Sequence, residues 1–496
     1  MNEIKQVEKM LAVGTPIVIV ETQDHPHTRV ELITAMKLKG ESNGGERPLI
    51  GWNAAASLFA LNERGKEALK AMSPASIKAA AQGVHVALTV ALDFPDGTIF
   101  IVDNLHWWWT QPAVMQAVQN VREPFKSSKR ALIALTTGGS IPLDLQQDVS
   151  FVRIPLPDET VLASKIKEVS ESVTGKPVAD DEAVEIGREL RGSSPFKAEQ
   201  LAFQSVTKSG IDRTRLRGNA SKTINDTVGL SVESAKVTFE DVGGLFGMRK
   251  FLDKFFAGPR RPVVVVRIEE IEKALSGYDT DSSGVSGDIL GALLTAMEDY
   301  GWTGIFAYGV SGCGKSLIAK AAAGTYGCRG IRFDINACKG SLVGQSGEQV
   351  RQALDVMFAL GGARVFFIAS MNKIASLPPE LRRRFAAGTW YFDVPSKKGR
   401  ENIWEIEAKH FDVEWDGYDS DGLTGSDIRD IVSRSWELGC TTTEAANYHV
   451  PLCRSAPDAI ESARADADGR YLDADKGGTY SRSVSRGEGD KRSVEL

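Results

Sequence analysis

The sequence has few cysteines, few histidines and no long apolar run. Its five cysteines are odd in number and contain no CxxC pair, so neither a disulfide framework nor a zinc site is expected. The pair His25 and His27 flanks a proline and has no cysteine nearby, which is more typical of a solvated loop than of a metal site. This pattern favours a reducing compartment, and we expect a cytoplasmic protein.

No apolar stretch approaches the roughly 18 residues of a membrane span, because the longest, such as residues 84–92, have the length of a strand. The N-terminus lacks a charged-then-apolar signal pattern. The formal net charge is only −6, from 59 Lys and Arg against 65 Asp and Glu. A balance so close to zero does not indicate general nucleic-acid binding, although a local basic stripe stays possible. We therefore expect no membrane association.

The composition is that of a globular α/β protein, with 42% apolar and 25% charged residues. Alternating apolar and helix-like segments predict parallel sheets covered on both faces. In the first half, strands are expected at residues 16–21, 83–92, 98–103 and 131–136, with helices at 54–72 and 112–126. In the second half, five strands are expected at residues 262–268, 303–308, 330–335, 364–369 and 389–393.

Composition shifts along the chain predict six regions. They are an α/β domain (1–157), a helical subdomain (158–210), a polar linker (211–236), a second α/β core (237–395), a second helical subdomain (396–455) and a flexible C-terminal tail (456–496). Residues 131–155 and 365–395 each read as a strand, a proline-containing turn, a short helix, a second strand and a proline. This shared order favours an internal duplication over a chance similarity of two α/β units.

A phosphate-binding loop is the most informative motif. Residues 309–316 match GxxxxGK[ST] and lie between a predicted strand and a predicted helix, the context that this motif requires. Glycines let backbone N–H groups turn toward a phosphate, and the helix N-terminus adds positive potential. In this pattern the lysine neutralises phosphate charge and the serine hydroxyl binds Mg²⁺. The predicted nucleotide-binding residues are Gly309, Val310, Ser311, Gly312, Cys313, Gly314, Lys315, Ser316 and Leu317.

An acidic pair is expected on a neighbouring strand, and here it precedes the loop in sequence. Glu269 and Glu270 follow an apolar run rich in valine. One carboxylate can hold Mg²⁺ and the next can polarise water. The alternative interpretation is a solvated glutamate run at a helix start. In that case the acidic residue of the site would be Asp334.

Residues 237–450 resemble an AAA+ ATPase module of the AAA subgroup. The motif at 239–245 resembles the segment that borders the adenine, 309–316 resembles Walker A, 268–274 resembles Walker B and 368–372 resembles sensor 1. The segment at 377–385 resembles the arginine-finger region, 423–428 the start of the lid helix near the ribose, and 341–346 the first pore loop. The resemblance implies a P-loop NTPase with a parallel five-stranded sheet, a helical lid, ATP and Mg²⁺ as cofactors, and a homo-oligomeric ring in the form of a hexamer.

The resemblance assigns roles to individual residues. It implies Lys315 and Ser316 at the phosphates, Ser316 and Glu269 at the metal, Glu270 as the residue that polarises water, and Asn372 as its partner. It further implies an arginine finger at Arg384, with Arg383 and Arg382 as alternatives because the loop is one residue short. Base and ribose contacts are implied at Val242, Gly243, Gly425 and Ser426.

Three departures from the family pattern stand out. Walker B precedes Walker A, which resembles a circular permutation inside the core. Glu269 stands where the family usually has Asp, and Leu342 stands where the pore loop usually has an aromatic residue. These departures leave the rate of turnover and the threading of a substrate open.

The first half resembles a degenerate AAA-like domain, because Asp103 is a single acid and no GK[ST] loop follows the strand at 16–21. An inactive half in front of an active one resembles a plastid and cyanobacterial AAA family. The run Trp107, Trp108 and Trp109 is interpreted as a partly buried aromatic cluster, with a partner-binding patch as the alternative.

The function predicted from these resemblances is that of a ring-forming ATPase that remodels a protein partner. Two alternatives stay open. One is a nucleotide-gated scaffold with marginal turnover, and the other is a nucleic-acid motor or loader.

Overall fold

The computed structural model describes residues 2–42, 46–138, 141–207, 210–275, 285–339, 345–372 and 377–482. Leu342 and most of the predicted pore loop therefore lie outside the described residues. The chain forms two compact units, residues 1–216 and 217–496.

The first unit is an α/β domain followed by a helical region. Its strands are β1 (Ile17–Glu21), β2 (Leu49–Asn53), β3 (Ser57–Ala60), β4 (Ile99–Asp103), β5 (Ala131–Thr136), β6 (Ser150–Arg153), β7 (Val206–Thr207) and β8 (Gly210–Ile211). Its helices are α1 (Asn2–Ala12), α2 (His25–Ser42), α3 (Glu63–Ala71), α4 (Pro74–Ala79), α5 (Val84–Val90), α6 (Pro112–Ser127), α7 (Glu159–Thr174), α8 (Asp180–Leu190) and α9 (Pro195–Ser205). Helix α10 (Arg213–Asn225) follows.

Six strands of this unit form one sheet in the order β3-β2-β4-β5-β1-β6, and all neighbours are parallel except β2 and β3. Strand β1 supplies alternate residues to the two faces. Ile17 and Ile19 belong to one buried cluster, whereas Val18 and Val20 belong to the other. The sheet is thus covered on both faces, as its continuous apolar strands predict.

The strand predicted at residues 83–92 is wrong, because this segment forms α5. Val84, Ala87, Leu88 and Ala91 are the most deeply buried positions, at spacings of three and four residues, which is the period of a helix face. The helix predicted at 54–72 is correct only in its second part, since β3 pairs with β2 before α3 begins at its Asn62 cap.

The tryptophan run divides between core and surface. Trp108 packs edge-on against Trp52 with ring centroids 5.5 Å apart, whereas the side chain of Trp107 is 62% exposed.

The second unit is built on a seven-stranded sheet in the order β15-β14-β11-β13-β10-β12-β9. Its strands are β9 (Leu230–Val232), β10 (Val264–Ile268), β11 (Thr303–Gly309), β12 (Arg329–Phe333), β13 (Val365–Met371), β14 (Thr389–Phe392) and β15 (Leu472–Asp473). The five predicted strands are all present and occupy consecutive positions in the sheet. They are parallel to one another, and β15 is parallel to β14.

Helices cover this sheet and follow it. They are α11 (Phe246–Ala257), α12 (Ile271–Ala274), α13 (Val285–Asp299), α14 (Lys315–Thr325), α15 (Gln345–Gly361), α16 (Pro379–Arg384), α17 (Lys397–Phe411), α18 (Gly425–Leu438), α19 (Thr442–Ala446), α20 (Leu452–Ser455) and α21 (Pro457–Ala467). The helices α17 to α19 surround their own small core, in which Trp404, Leu423, Ile428, Ile431 and Val432 are buried.

Two boundary predictions are wrong. The predicted linker at 211–236 contains α10 and β9, and β9 pairs antiparallel with β12 as the edge of the second sheet. The predicted flexible tail is folded as far as residue 482: it contains α21 and β15, and Tyr480 is buried. Both segments contribute few large apolar side chains and are held by backbone pairing, which composition alone does not reveal.

Candidate nucleotide-binding site

The loop between β11 and α14 has a backbone that glycine alone accommodates without strain. Gly309, Gly312 and Gly314 have φ values of +141°, +78° and +85°. A Cβ on Gly309 would lie 2.3 Å from the carbonyl oxygen of Phe392 on the neighbouring strand. Gly314 is the cap residue of α14, so the loop delivers the chain directly into the positively polarised end of a helix of 11 residues.

Lys315 is folded back on this loop. Its Nζ donates to the carbonyl oxygens of Gly309 at 2.7 Å and Val310 at 2.8 Å. Burial lowers the pKa of Lys315, and the nearby carboxylates of Glu272 and Glu270 act in the opposite direction. Among the described residues no carboxylate bonds to Lys315, so its partly buried ammonium makes this end of the loop attractive to an anion.

The acidic pair lies beside this loop. Strand β10 pairs with β13, so that Ile268, the last residue of β10, is opposite Ala369, two residues before the end of β13. Glu270 follows in the left-handed conformation, with φ +49°, and Asn372 Nδ2 donates to its Oε1 at 3.3 Å. Lys273 forms an ion pair with the same carboxylate at 2.7 Å.

A third carboxylate, Glu272, fixes the backbone of Asn372. Glu272 is buried, and its Oε1 accepts a hydrogen bond from the backbone N–H of Asn372 at 2.8 Å. The sequence interpretation assigned no role to this residue. Its burial within a short helix after the strand, rather than any motif, is what identifies it.

Glu269 is engaged by arginines. Its carboxylate pairs with Arg267, which is itself buried and also pairs with Glu233, and it lies 3.3 Å from Arg332. These two cations neutralise Glu269. Its role as a metal ligand stays a prediction, and binding a metal would require exchanging arginine contacts for metal contacts.

Asp334, the fallback acid, has a local structural role. Its Oδ1 accepts hydrogen bonds from the backbone N–H groups of Asn336 and Ala337, which caps a short 3₁₀ helix. Asp334 is not among the described residues that line the cavity next to Lys315.

A cavity of about 560 Å³ lies between the glycine loop, the acidic pair and the start of α18. The predicted site residues that line it are Val242, Gly243, Glu269, Glu270, Ser311, Gly312, Cys313, Gly314, Lys315, Ser316, Leu317, Asn372, Gly425 and Ser426. Ser426 is held against the loop because its backbone N–H donates to the carbonyl oxygen of Gly312 at 3.1 Å. Thr424 and Asp427 form a capping box at this helix start, which orients the first turn of α18 toward the loop.

Four predicted residues are not among the described residues of the cavity wall. Gly309 and Val310 instead present their carbonyl oxygens to Lys315. Arg384 forms an ion pair with Glu298 on α13, whereas Arg383 is exposed. An arginine that acts on a neighbouring subunit would not line its own cavity, so this arrangement leaves the prediction untested.

Several lining residues were not individually predicted as site residues. Asp241, Gly244, Leu245 and Ser370 lie within the motifs predicted at 239–245 and 368–372. The others are Asp393, Val394, Pro395, Ile403, Ile406, Glu407, Arg429, Ala474 and Asp475. The last two belong to the segment predicted to be flexible. Asp393 anchors that segment, because its carboxylate accepts hydrogen bonds from Arg464 Nε at 2.9 Å and from the Tyr480 hydroxyl at 2.7 Å.

Two family models match the chain in separate places. Residues 3–154 match the SpoVK-like AAA ATPase N-terminal domain, and residues 305–376 match the ATPase family associated with various cellular activities (AAA). Both units are thus similar to AAA ATPases. The second match covers β11 through β13 and leaves out residues 264–270, which carry the acidic pair.

Whole-chain relatives carry the same family name. The uncharacterized AAA domain-containing protein ycf46 of Gracilaria tenuistipitata var. liui is 24% identical over 399 residues, covering 69% of this chain and 74% of the relative. The protein of the same name from Guillardia theta is 21% identical over 476 residues, covering 86% and 84%. The one from Pyropia yezoensis is 22% identical over 439 residues, covering 76% and 82%. None of the described helices is long and apolar enough to cross a membrane.

Proposed function

We propose that the chain is an ATP-hydrolysing AAA+ ATPase that forms a ring and couples ATP turnover to the remodelling of a protein partner. One observation carries the proposal. Lys315 and Ser316 of the glycine loop share a cavity with Glu270 and Asn372. A phosphate cradle and a carboxylate held by an amide are the parts that hydrolysis of a phosphoanhydride requires.

The residues present fit a nucleotide. The loop glycines and the start of α14 supply N–H donors for phosphate oxygens, and Lys315 can exchange its loop carbonyls for them. Glu270 would accept a proton from an attacking water, and Asn372 would hold that carboxylate. A Mg²⁺ ion, held by the Ser316 hydroxyl with Glu269 as the proposed acidic ligand, would neutralise phosphate charge.

We propose further that the core is circularly permuted. The first sheet, read from β6, runs β6-β1-β5-β4-β2-β3. The second, read from β14 and leaving out the extra edge strand β15 beside it, runs β14-β11-β13-β10-β12-β9. In both sheets the last strand is antiparallel to its neighbour. Strand β1 of the first unit corresponds in position to β11 of the second, and β4 corresponds to β10. Along the chain β1 comes before β4, whereas β11 comes after β10. The same spatial order with a different chain order is what a permutation produces.

The ends of the corresponding strands support the same pairing. Asp103 ends β4 and is followed by Asn104 at φ +57°, just as Glu269 is followed by Glu270 at φ +49°. Asp103 also pairs with an arginine, Arg29, at 2.7 Å. The repetition of an unusual backbone conformation after an acid favours duplication of one ancestral unit.

We infer that the first unit does not bind ATP. Its β1 reaches α2 through only three residues, and Asp24 in this connection accepts a hydrogen bond from the backbone N–H of His27. The other oxygen of Asp24 accepts from the backbone N–H of Phe196, at the start of α9. A carboxylate of the protein therefore sits between two helix starts, where a phosphate would otherwise be attracted.

A nucleotide-gated scaffold with marginal turnover is the second candidate. The pairing of Glu269 with Arg267 and Arg332 favours it, because a neutralised acid binds a metal less readily.

The test is Lys315→Ala against Lys320→Ala, a lysine on the same helix outside the described cavity wall. We expect Lys315→Ala to lose ATP binding and turnover and Lys320→Ala to keep both. Sedimentation with and without ATP measures ring formation. Equal ATP affinity of the two variants would contradict the assignment, whereas binding without turnover in the wild type would favour the scaffold.

A further inference from the structure

The C-terminal segment (residues 457–482) forms part of the wall of the nucleotide cavity. The backbone N–H of Gly247 donates to the carbonyl oxygen of Asp475 at 2.8 Å. The backbone N–H of Met248 donates to the carbonyl oxygen of Ala474 at 2.9 Å. The backbone N–H of Ala474 in turn donates to the carbonyl oxygen of Tyr391 on β14 at 3.1 Å. These three hydrogen bonds fix the segment between α11 and the sheet.

A tight turn orients Asp475. The backbone N–H groups of Asp475 and Lys476 donate to Asp473 Oδ1 at 2.8 and 2.9 Å. The carboxylate then lies beside the loop of Gly244, where a Cβ on the glycine would be 3.5 Å from Asp475 Oδ1. Gly244 and Asp475 both line the cavity.

Asp475 Oδ1 is buried and has no hydrogen-bond partner among the described residues. Leaving a buried carboxylate oxygen without a donor is costly, so such a group in a cavity wall points to an N–H or O–H of a ligand. The backbone contacts on both sides hold this oxygen in place.

The wall around Asp475 suits a flat apolar ring. Val242, Leu245, Ile403, Ile406 and Ala474 contribute to it. Gly243 lets Ile403 pack directly against the backbone of this wall, since a Cβ on the glycine would lie 2.4 Å from Ile403 Cγ1. A purine base fits such a surface, and its exocyclic amino group is the N–H donor that a carboxylate can accept.

We propose that Asp475 reads the exocyclic amino group of the adenine base and so sets the base preference of the site. The inference rests on the proposed function, because it assumes that the cavity binds a purine nucleotide. Glu407 also lines the cavity, and burial raises the pKa of its carboxyl. It is the rival carboxyl group for the same role.

The test is a cycle of two ligands and several variants in Mg²⁺ buffer. ATP is compared with purine riboside triphosphate, which lacks only the amino group, by equilibrium binding to the full chain. We expect the wild type to bind ATP about 10–100-fold more tightly, as a hydrogen bond to a charged group implies. Asp475→Ala should reduce this preference to less than about threefold, mainly by weakening ATP.

The controls separate the possible failures. Asp458→Asn changes an exposed carboxylate of the same segment and should keep the full preference. Asp475→Asn keeps the shape of the side chain and should give an intermediate preference, which tests the role even if the alanine variant unfolds. A full preference in folded Asp475→Asn and Asp475→Ala, or its loss in Glu407→Gln instead, would overturn the inference while leaving ATP binding intact. Failure of the wild type to bind ATP would overturn the proposed function as well.

Discussion

Replacing Glu270 by glutamine tests the proposed chemistry with little change in structure. Glutamine keeps the length of the side chain and can still accept the hydrogen bond from Asn372 Nδ2, which is 3.3 Å away. The left-handed backbone at this position is equally strained for both residues. What the substitution removes is the negative charge that would accept a proton from water.

The expected effect is large on turnover and small on binding. A positioned general base contributes about 10²–10⁴-fold to a rate. That range corresponds to about 2.7–5.4 kcal/mol of transition-state stabilisation. The phosphate cradle is formed by other residues, so ATP affinity should change little. The ion pair with Lys273 is exposed and contributes little to the fold, so thermal stability should be retained.

The assay compares Glu270→Gln with two neighbours under saturating ATP and Mg²⁺. Lys273→Ala removes the same ion pair but keeps the carboxylate, so it should turn over within about threefold of the wild type. Glu272→Gln disturbs the carboxylate that holds the Asn372 backbone and should have an intermediate effect. Turnover by Glu270→Gln within threefold of the wild type, or an equal loss in Lys273→Ala, would refute the assignment of Glu270 as the base.

Three further predictions concern other parts of the chain. Arg384→Ala should bind ATP normally, and its turnover should fall about 10³–10⁵-fold, as expected for an arginine finger. Mixing it with Lys315→Ala subunits should restore part of the turnover. The same loss in Arg383→Ala but not in Arg384→Ala would assign the role to Arg383. Residues 1–216 expressed alone should unfold cooperatively and show no ATP binding by calorimetry, and stoichiometric binding would contradict the inference about Asp24. Cys313 is buried, and burial raises the pKa of its thiol to about 12, so iodoacetamide at pH 8 should modify it only after denaturation; mass spectrometry of the labelled peptide checks this.

The sequence predicts strands best where burial is complete on both faces. Strands β1, β5, β10 and β13 consist mainly of apolar residues, with Arg267 inside β10, and their predicted bounds lie within about two residues of the observed ones. The same rule failed at α5, because a seven-residue segment with five apolar residues fits a buried strand as well as a buried helix.

Edge elements could not be predicted for a different reason. Strands β9 and β15 have three and two residues, and their positions are set by backbone hydrogen bonds to β12 and β14 rather than by side-chain pattern. Asp475 follows β15 and was not predicted as a site residue for the same reason. A carboxylate in a polar glycine-rich segment looks solvated until the turn at Asp473 places it against the cavity wall.

The position of the acidic pair is the strongest link between sequence and proposed chemistry. Along the chain, Glu270 lies 45 residues before Lys315. In the sheet, β13 pairs with β10 on one side and with β11 on the other, and all three are parallel, so their carboxyl ends lie at one edge. Chemistry at that edge depends on which strands are neighbours and not on the order in which the chain visits them. A rearranged chain can therefore keep the site, provided that its connections are long enough, and the segments before and after β11 include α13 and α14.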